Sequence, residues 1–109
     1  MSDDEDDSFS LVLGALANPT RRAIVEQLLD TSCAVSELKL PRKISASTLS
    51  KHLTVLAEAG LLTQHASGRK RICRVQKVPL KQLGSWLETH RRSIYSQRAS
   101  LERFFGVNP

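Results

Sequence analysis

Between Ser45 and Leu62 the chain reads SASTLSKHLTVLAEAGLL, and this stretch limits the fold more than any other. Leu49, Leu53 and Leu56 recur at helical spacing and form one apolar stripe. Ser45 stands where an N-cap hydroxyl would accept from the free N–H groups of the first turn. Gly60 stands where a helix ends on a residue of left-handed conformation. The helix therefore needs a core under its leucines. Its opposite face begins with Ser47, Thr48, Ser50 and Lys51, which offer many hydrogen-bonding groups and one charge. His52 adjoins the core residue Leu53 and is expected to be half-buried and structural.

The flanking segments supply that core. Ser8 can cap a first helix, FSLVLGALA, with Phe9, Leu13 and Leu16 on one face. Asn18 and Pro19 then form a strong start signal, with the asparagine as cap and the proline at the first helical position. The second helix, over 19–30, turns Ala23, Ile24 and Leu28 inward and Arg21, Arg22 and Glu26 outward. TSCAV, 31–35, is a short β-compatible piece, and Ser36 opens a short third helix that Pro41 must end. LLTQH and KRICRVQ read as two strands joined through Ala66-Ser67-Gly68-Arg69. Pro79 starts a long helix to about Phe105. In it Leu80, Leu87, Ile94 and Leu101 recur every seven residues, with Leu83, His90, Gln97 and Phe104 three positions later.

The predicted order is α-α-β-α-α-β-β-α: mainly α with a small β-hairpin wing, a winged helix-turn-helix. Residues 1–7 are expected to be an acidic disordered tail and 8–78 the DNA-binding core. Residues 79–105 form a C-terminal dimerisation helix that completes the same domain. One hundred and nine residues suffice for one such domain. No apolar run approaches the roughly 20 residues that span a bilayer. The acidic start lacks a secretory signal and the two cysteines suggest no disulfide scaffold, so a reducing cytoplasm is expected.

Charge points to a polyanion. The net charge is +5, but five of the eleven acids lie in residues 1–7, and the rest of the chain carries +10. Double-stranded DNA is the expected partner. In a helix-turn-helix the second helix puts its N-terminal residues nearest the base edges, in a groove about 12 Å wide. Small hydroxyl residues fit there, and Lys51 can reach a phosphate or a guanine. The candidate DNA-binding residues are Ser45, Ser47, Thr48, Ser50 and Lys51 on this helix, Arg42 and Lys43 before it, and Arg69, Lys70 and Arg71 in the wing. The free N–H groups of the helix start add a partial positive charge.

Together, ALANPTRRAIVEQLL (15–29), VSEL (35–38), STLSKHLTVLAEAGLL (47–62) and SGRKRICRV (67–75) resemble the ArsR/SmtB family of bacterial winged-helix repressors. The resemblance runs from about Phe9 to Phe105. It implies a homodimer built on the first and last helices, which binds a near-palindromic operator and blocks transcription. The dimerisation candidates are Phe9, Leu13, Leu16, Leu80, Leu83, Leu87, Ile94, Leu101 and Phe104. The family's metal-sensing members carry Cys-Val-Cys where this chain has Ala34, Val35 and Ser36. Glu88 and His90 resemble half of the family's other metal site, whose second half would fall at Leu101 and Phe104. Two ligands without partners are too few for zinc, so no metal is expected. The ending VPLKQLGSWLETHRRSIYSQRASLERFF is similar to the SdpR-like branch, in which a Trp-Leu and a basic, aromatic helix replace the metal ligands.

Cys33 and Cys73 fall on strands that winged-helix sheets usually pair. They read either as a redox pair whose oxidation releases DNA or as two unrelated, half-buried apolar residues. A rival function is a protein–protein interaction module, against which the basic wing and reading helix argue. Catalysis is not expected, for want of a phosphate-binding glycine loop, a carboxylate pair or a nucleophile triad. No cofactor or membrane partner is implied, and no effector is assigned.

Overall fold

The computed structural model describes residues 3–96. Helix α1 covers Asp3–Leu16 and helix α2 covers Pro19–Leu28. Asn18 joins them as expected: its Oδ1 accepts from Thr20 N (2.9 Å) and Arg21 N (3.1 Å), with Pro19 opening the helix. Helix α1 starts earlier than the Ser8 cap predicts, so the acidic stretch expected to be disordered is helical from Asp3 onward. An acidic sequence suits the first turns of a helix, where the free N–H groups carry partial positive charge.

Strand β1, Cys33–Ala34, leads into a single 3₁₀ turn at Val35–Glu37. The third helix expected from Ser36 is therefore one turn long. The Glu37 carboxylate accepts from Ala34 N (2.9 Å) and closes that turn, and Leu38 is already extended (ψ 130°). Proline at 41 also disfavours helix at Leu40 and leaves too few residues for a second turn. The helix-turn-helix thus keeps its place, with a first limb of minimal length.

Helix α3 spans Ala46–Glu58. It ends as its sequence requires. Gly60 has φ +77°, its N–H donates to Ala57 O (3.0 Å), and Leu61 N donates to Leu56 O (3.0 Å). Those two bonds are the Schellman closure. Strands β2 (Leu62–Ser67) and β3 (Lys70–Val75) follow, and the antiparallel sheet has the order β1-β3-β2. The turn is tighter than the four residues expected, because Ser67 pairs directly with Lys70. Only Gly68 and Arg69 lie between the strands, and Gly68 has φ +62° while no non-glycine residue among the described ones has positive φ. A two-residue turn with glycine first at positive φ matches the twist of the hairpin.

Helix α4 spans Val78–Thr89 and helix α5 Arg91–Tyr95. The single long helix expected from Pro79 to Phe105 is broken at His90 (φ −102°, ψ 8°). Thr89 Oγ1 donates back to Ser85 O (2.9 Å), and His90 N is shared between Trp86 O (3.3 Å) and Leu87 O (3.2 Å). A threonine bonded to its own preceding turn bends a helix, and threonine and histidine are both weak helix formers. Leu101 and Phe104 lie outside the described residues.

The core lies between α1, α2, α3 and the sheet. Ile24, Leu56, Leu61 and Cys73 are its most enclosed side chains, with Val12, Val25, Leu28, Leu53 and Val75 around them. Leu49 packs on its edge, so the leucine stripe of α3 is held as expected. Val25, not Ala23, joins Ile24 and Leu28 in the interior.

Candidate nucleic-acid interface

The core turns the leucines of α3 inward and leaves Ser47, Ser50, Lys51 and Thr54 exposed on one outer face. Ser45 is the N-cap, its Oγ accepting from Thr48 N (3.1 Å). The same hydroxyl donates to Thr48 Oγ1 (2.9 Å) and lies 3.2 Å from Ser47 Oγ. Ser45 and Thr48 are therefore engaged with each other, and Thr48 is half-buried. The residues of α3 with freest access to a groove are Ser47, Ser50, Lys51 and Thr54. Thr54 escaped the sequence reading, although it lies seven positions after Ser47 on the same helical face.

Arg42 and Lys43 are exposed in the turn before α3, and Arg69, Lys70 and Arg71 are exposed at the hairpin. Pairing fixes which way the wing cations point. Ala66 faces Arg71 and Gln64 faces Cys73, so Arg71 shares the face of the sheet that meets α3. Lys70 and Arg74 take the other face. A cleft of about 420 Å³ separates α3 from the wing, lined by Val35, Leu49, Ser50, Thr54, Gln64 and Arg71 among others. Among the described residues, the side chains of Arg42, Lys43, Lys51, Arg69, Lys70 and Arg71 form no hydrogen bond or ion pair. The one ion pair there joins Arg91 to Glu88 at 3.8 Å.

Of the two arginines expected to point outward, Arg22 is exposed and Arg21 half-buried, and both reach back to the end of α1. Arg21 donates through Nε to Ala15 O (2.8 Å) and through an Nη to Gly14 O (3.2 Å), and Arg22 donates to Leu16 O (2.8 Å). They satisfy the free carbonyls and partial negative charge at the end of α1. The other Nη of Arg21 lies 3.2 Å from His52 Nδ1. Since a guanidinium only donates, Nδ1 accepts and the ring is neutral with its proton on Nε2. Burial, reinforced by the Arg21 charge, holds the His52 pKa below its ordinary value. His52 is thus half-buried and structural, as the sequence implied, and it ties α3 to the α1–α2 junction.

Gln27 also escaped the sequence reading. Its side-chain amide donates to Lys39 O and accepts from Lys39 N (2.7 Å), which fastens the segment before α3 to α2. No motif marks such a residue, because the bond spans twelve positions and is made to backbone.

The apolar stripe assigned to dimerisation divides. Leu16 and Leu80 pack against the molecule's own core, and Phe9 lies against Trp86 with ring centroids 6.3 Å apart. Leu83 is half-buried. Leu13, Leu87 and Ile94 remain 45%, 47% and 39% exposed, and Trp86 is 48% exposed beside them in sequence. Glu88 lies 3.8 Å from Arg91, and the ring centroids of His90 and Trp86 are 4.7 Å apart. Among the described residues no three His, Cys, Asp or Glu side chains gather to hold a metal ion.

A helix-turn-helix domain model matches residues 16–65. The HTH-type transcriptional regulator Rv2034 of Mycobacterium tuberculosis is 38% identical over 74 residues, covering 68% of this chain and 69% of that protein. The crystal structure of the ArsR family transcriptional regulator RHA00566 superposes with a TM-score of 0.73 at 30% identity, over 84% of this chain and 95% of that one. The chain belongs to the ArsR/SmtB family of winged helix-turn-helix transcriptional regulators. The HTH-type transcriptional repressor SmtB of M. tuberculosis is a further relative, 38% identical over 69 residues, 63% of this chain and 51% of that protein. An ArsR/SmtB regulator works by binding DNA and is generally not an enzyme, and no helix among the described residues is long and apolar enough to cross a membrane.

Proposed function

We propose that this ArsR/SmtB regulator is a dimeric, sequence-specific repressor that binds a near-palindromic operator in the cytoplasm. The observation that carries the reading is the unpaired state of six exposed cations around one polar helix face. Ser47, Ser50, Lys51 and Thr54 of α3 read base edges in the major groove. Arg42, Lys43, Arg69, Lys70 and Arg71 hold the backbone phosphates on either side, which sets position and salt dependence rather than sequence. The Ser45–Thr48 pair fixes the start of the reading helix. Repression is supported by the name of the SmtB relative. Dimerisation is supported by exposed Leu13, Trp86, Leu87 and Ile94, an apolar set that a monomer would leave in water.

The test is retention of genomic fragments by the purified protein at about 0.15 M salt with nonspecific competitor DNA. The reading requires a few fragments sharing an inverted repeat, with half-sites about one helical turn apart. Diffuse retention that vanishes with slightly more salt would overturn it and favour a protein-docking module.

A further inference from the structure

Strand β1 is two residues long and sits at the edge of the sheet against β3, with Cys33 directly opposite Cys73. Opposed residues of an antiparallel pair point to the same face, with Cα atoms about 4.5 or 5.5 Å apart. Both values lie inside the roughly 4.4–6.8 Å that a disulfide spans. Cys73 is fully enclosed in the core and Cys33 is half-buried at its edge, and both are free thiols. The strand register therefore places an accessible thiol beside an enclosed one.

We infer that Cys33 and Cys73 are a reversible thiol pair, closed by a hydroperoxide to an intrachain disulfide that locks β1 to the wing and weakens DNA binding. The Cys33 thiolate attacks the peroxide: an S–O bond forms, the O–O bond breaks, and hydroxide or alkoxide leaves and takes up a proton. The Cys73 thiolate then attacks the Cys33 sulfur, forming the S–S bond and expelling hydroxide, which takes up the other proton. Two thiols lose two electrons, and one hydrogen peroxide becomes two waters. Burial raises both thiols above the ordinary range, with Glu37 adding to the effect at Cys33 and Cys33 adding to it at Cys73, partly opposed by Arg71. Closure is accordingly slow near neutrality and quickens as pH rises, which suits sustained rather than trace oxidant.

The consequence for DNA follows from which strand yields. Opposed Cβ atoms lie about 4.5–5.5 Å apart and must close to about 3.8 Å. β3 is held on both sides, whereas β1 has one neighbour, so β1 moves. It runs directly into the 3₁₀ turn, whose Val35 walls the cleft between α3 and Arg71. The bond thus shifts the footing of the reading helix relative to the wing.

The test uses the full chain, reduced and then treated with hydrogen peroxide at pH 7 and pH 8.5. Expected are a mass loss of two hydrogens, both thiols lost to alkylation, and a peptide linking residues 33 and 73, all reversed by dithiothreitol and formed faster at the higher pH. Affinity for a retained fragment should fall about tenfold on oxidation, equal to about 1.4 kcal/mol. Cys33→Ser, at the half-buried position, should bind DNA like the reduced protein and be indifferent to peroxide. Cys33→Ala and a melting curve check that the fold is intact. Oxygen addition at Cys33 with Cys73 still alkylatable, a disulfide between chains, or a closed disulfide with unchanged affinity would each overturn the inference. The affinity arm rests on the repressor reading. If the reduced protein retains no specific fragment, that reading fails by itself, while mass and thiol counts still decide whether the pair closes.

Discussion

At the scale of single residues, the polar face of α3 proposed to read DNA is defined as much by what is engaged as by what is free. The Ser45 hydroxyl bonds to Thr48 and lies 3.2 Å from Ser47 Oγ, so among the serines of this face the Ser50 hydroxyl is the one left to water or to a ligand. His52 shows how a neighbour on another element decides a side chain's state. Its neutral ring accepts from Arg21, and burial with that nearby charge lowers its pKa below the ordinary 6.5. Unfolded, the ring takes a proton near 6.5; folded, it resists until lower pH. The unfolded chain therefore binds more protons in that window, and stability rises with pH there. The stabilising contribution of His52 should be complete above about pH 6.5 and decline as pH falls below it. Denaturant titrations of the wild type and His52→Gln between pH 5 and 8 check this. The variant should show a flatter pH dependence, and identical slopes would assign the acid sensitivity to other groups. The pattern Leu49, Leu53, Leu56 with Gly60 was plain in the sequence. The Arg21–His52 and Gln27–Lys39 bonds were not, because they join residues far apart in the chain and leave no periodic trace.

At the scale of elements, the strongest local signals survived folding and the weakest gave way. Asn18-Pro19, Gly60 and Gly68 each fix a backbone conformation that few residues supply, and each boundary falls beside them. Gly60 carries φ +77° and closes α3, so Gly60→Ala should destabilise the protein by about 1–2 kcal/mol. A Cβ there would find Pro79 Cγ at 3.9 Å, an ordinary contact, so the cost is conformational rather than steric crowding. Urea denaturation with an unchanged slope and a lower midpoint is the expected result. A midpoint equal to wild type would show that the chain past α3 can close differently. The elements that fold differently from expectation rested on a start signal or on apolar spacing alone. Ser36 and Glu37 looked like a helix start, but proline at 41 left room for one 3₁₀ turn. The heptad repeat after Pro79 reflects apolar spacing and carries no sign of the Thr89 back-bond that accompanies the helix break at His90. The candidate site was legible in its residue types and in its place on the chain. The division of wing cations between two faces needed the strand register.

At the scale of the whole molecule, the exposed cations and the exposed apolar face make separate demands. Each phosphate contact releases counterions, so its loss should flatten the dependence of log affinity on log salt by about 0.9. Arg69→Ala with Lys70→Ala should therefore weaken retained and unrelated DNA alike and reduce the slope by about two per protomer. A variant with the wild-type slope would place the wing away from the backbone. The apolar face makes the second demand. Leu87 is 47% exposed on α4, next to Trp86, while the neighbouring Leu80 is held by the protomer's own core. Leu87→Glu should consequently leave the monomer folded, since the side chain contributes little to that core. In a two-fold dimer the substitution appears twice and puts unpaired carboxylates into the seam, where an uncompensated buried charge costs about 3–5 kcal/mol. Sedimentation should then show a monomer at concentrations where the wild type is a dimer. Affinity for an inverted repeat should fall about a hundredfold or more, because the second half-site no longer comes tethered to the first. Affinity for an isolated half-site should hardly change, which separates lost pairing from a damaged reading helix. A dimeric Leu87→Glu variant with full operator affinity would move the seam elsewhere, with Leu13 on α1 as the next position to substitute.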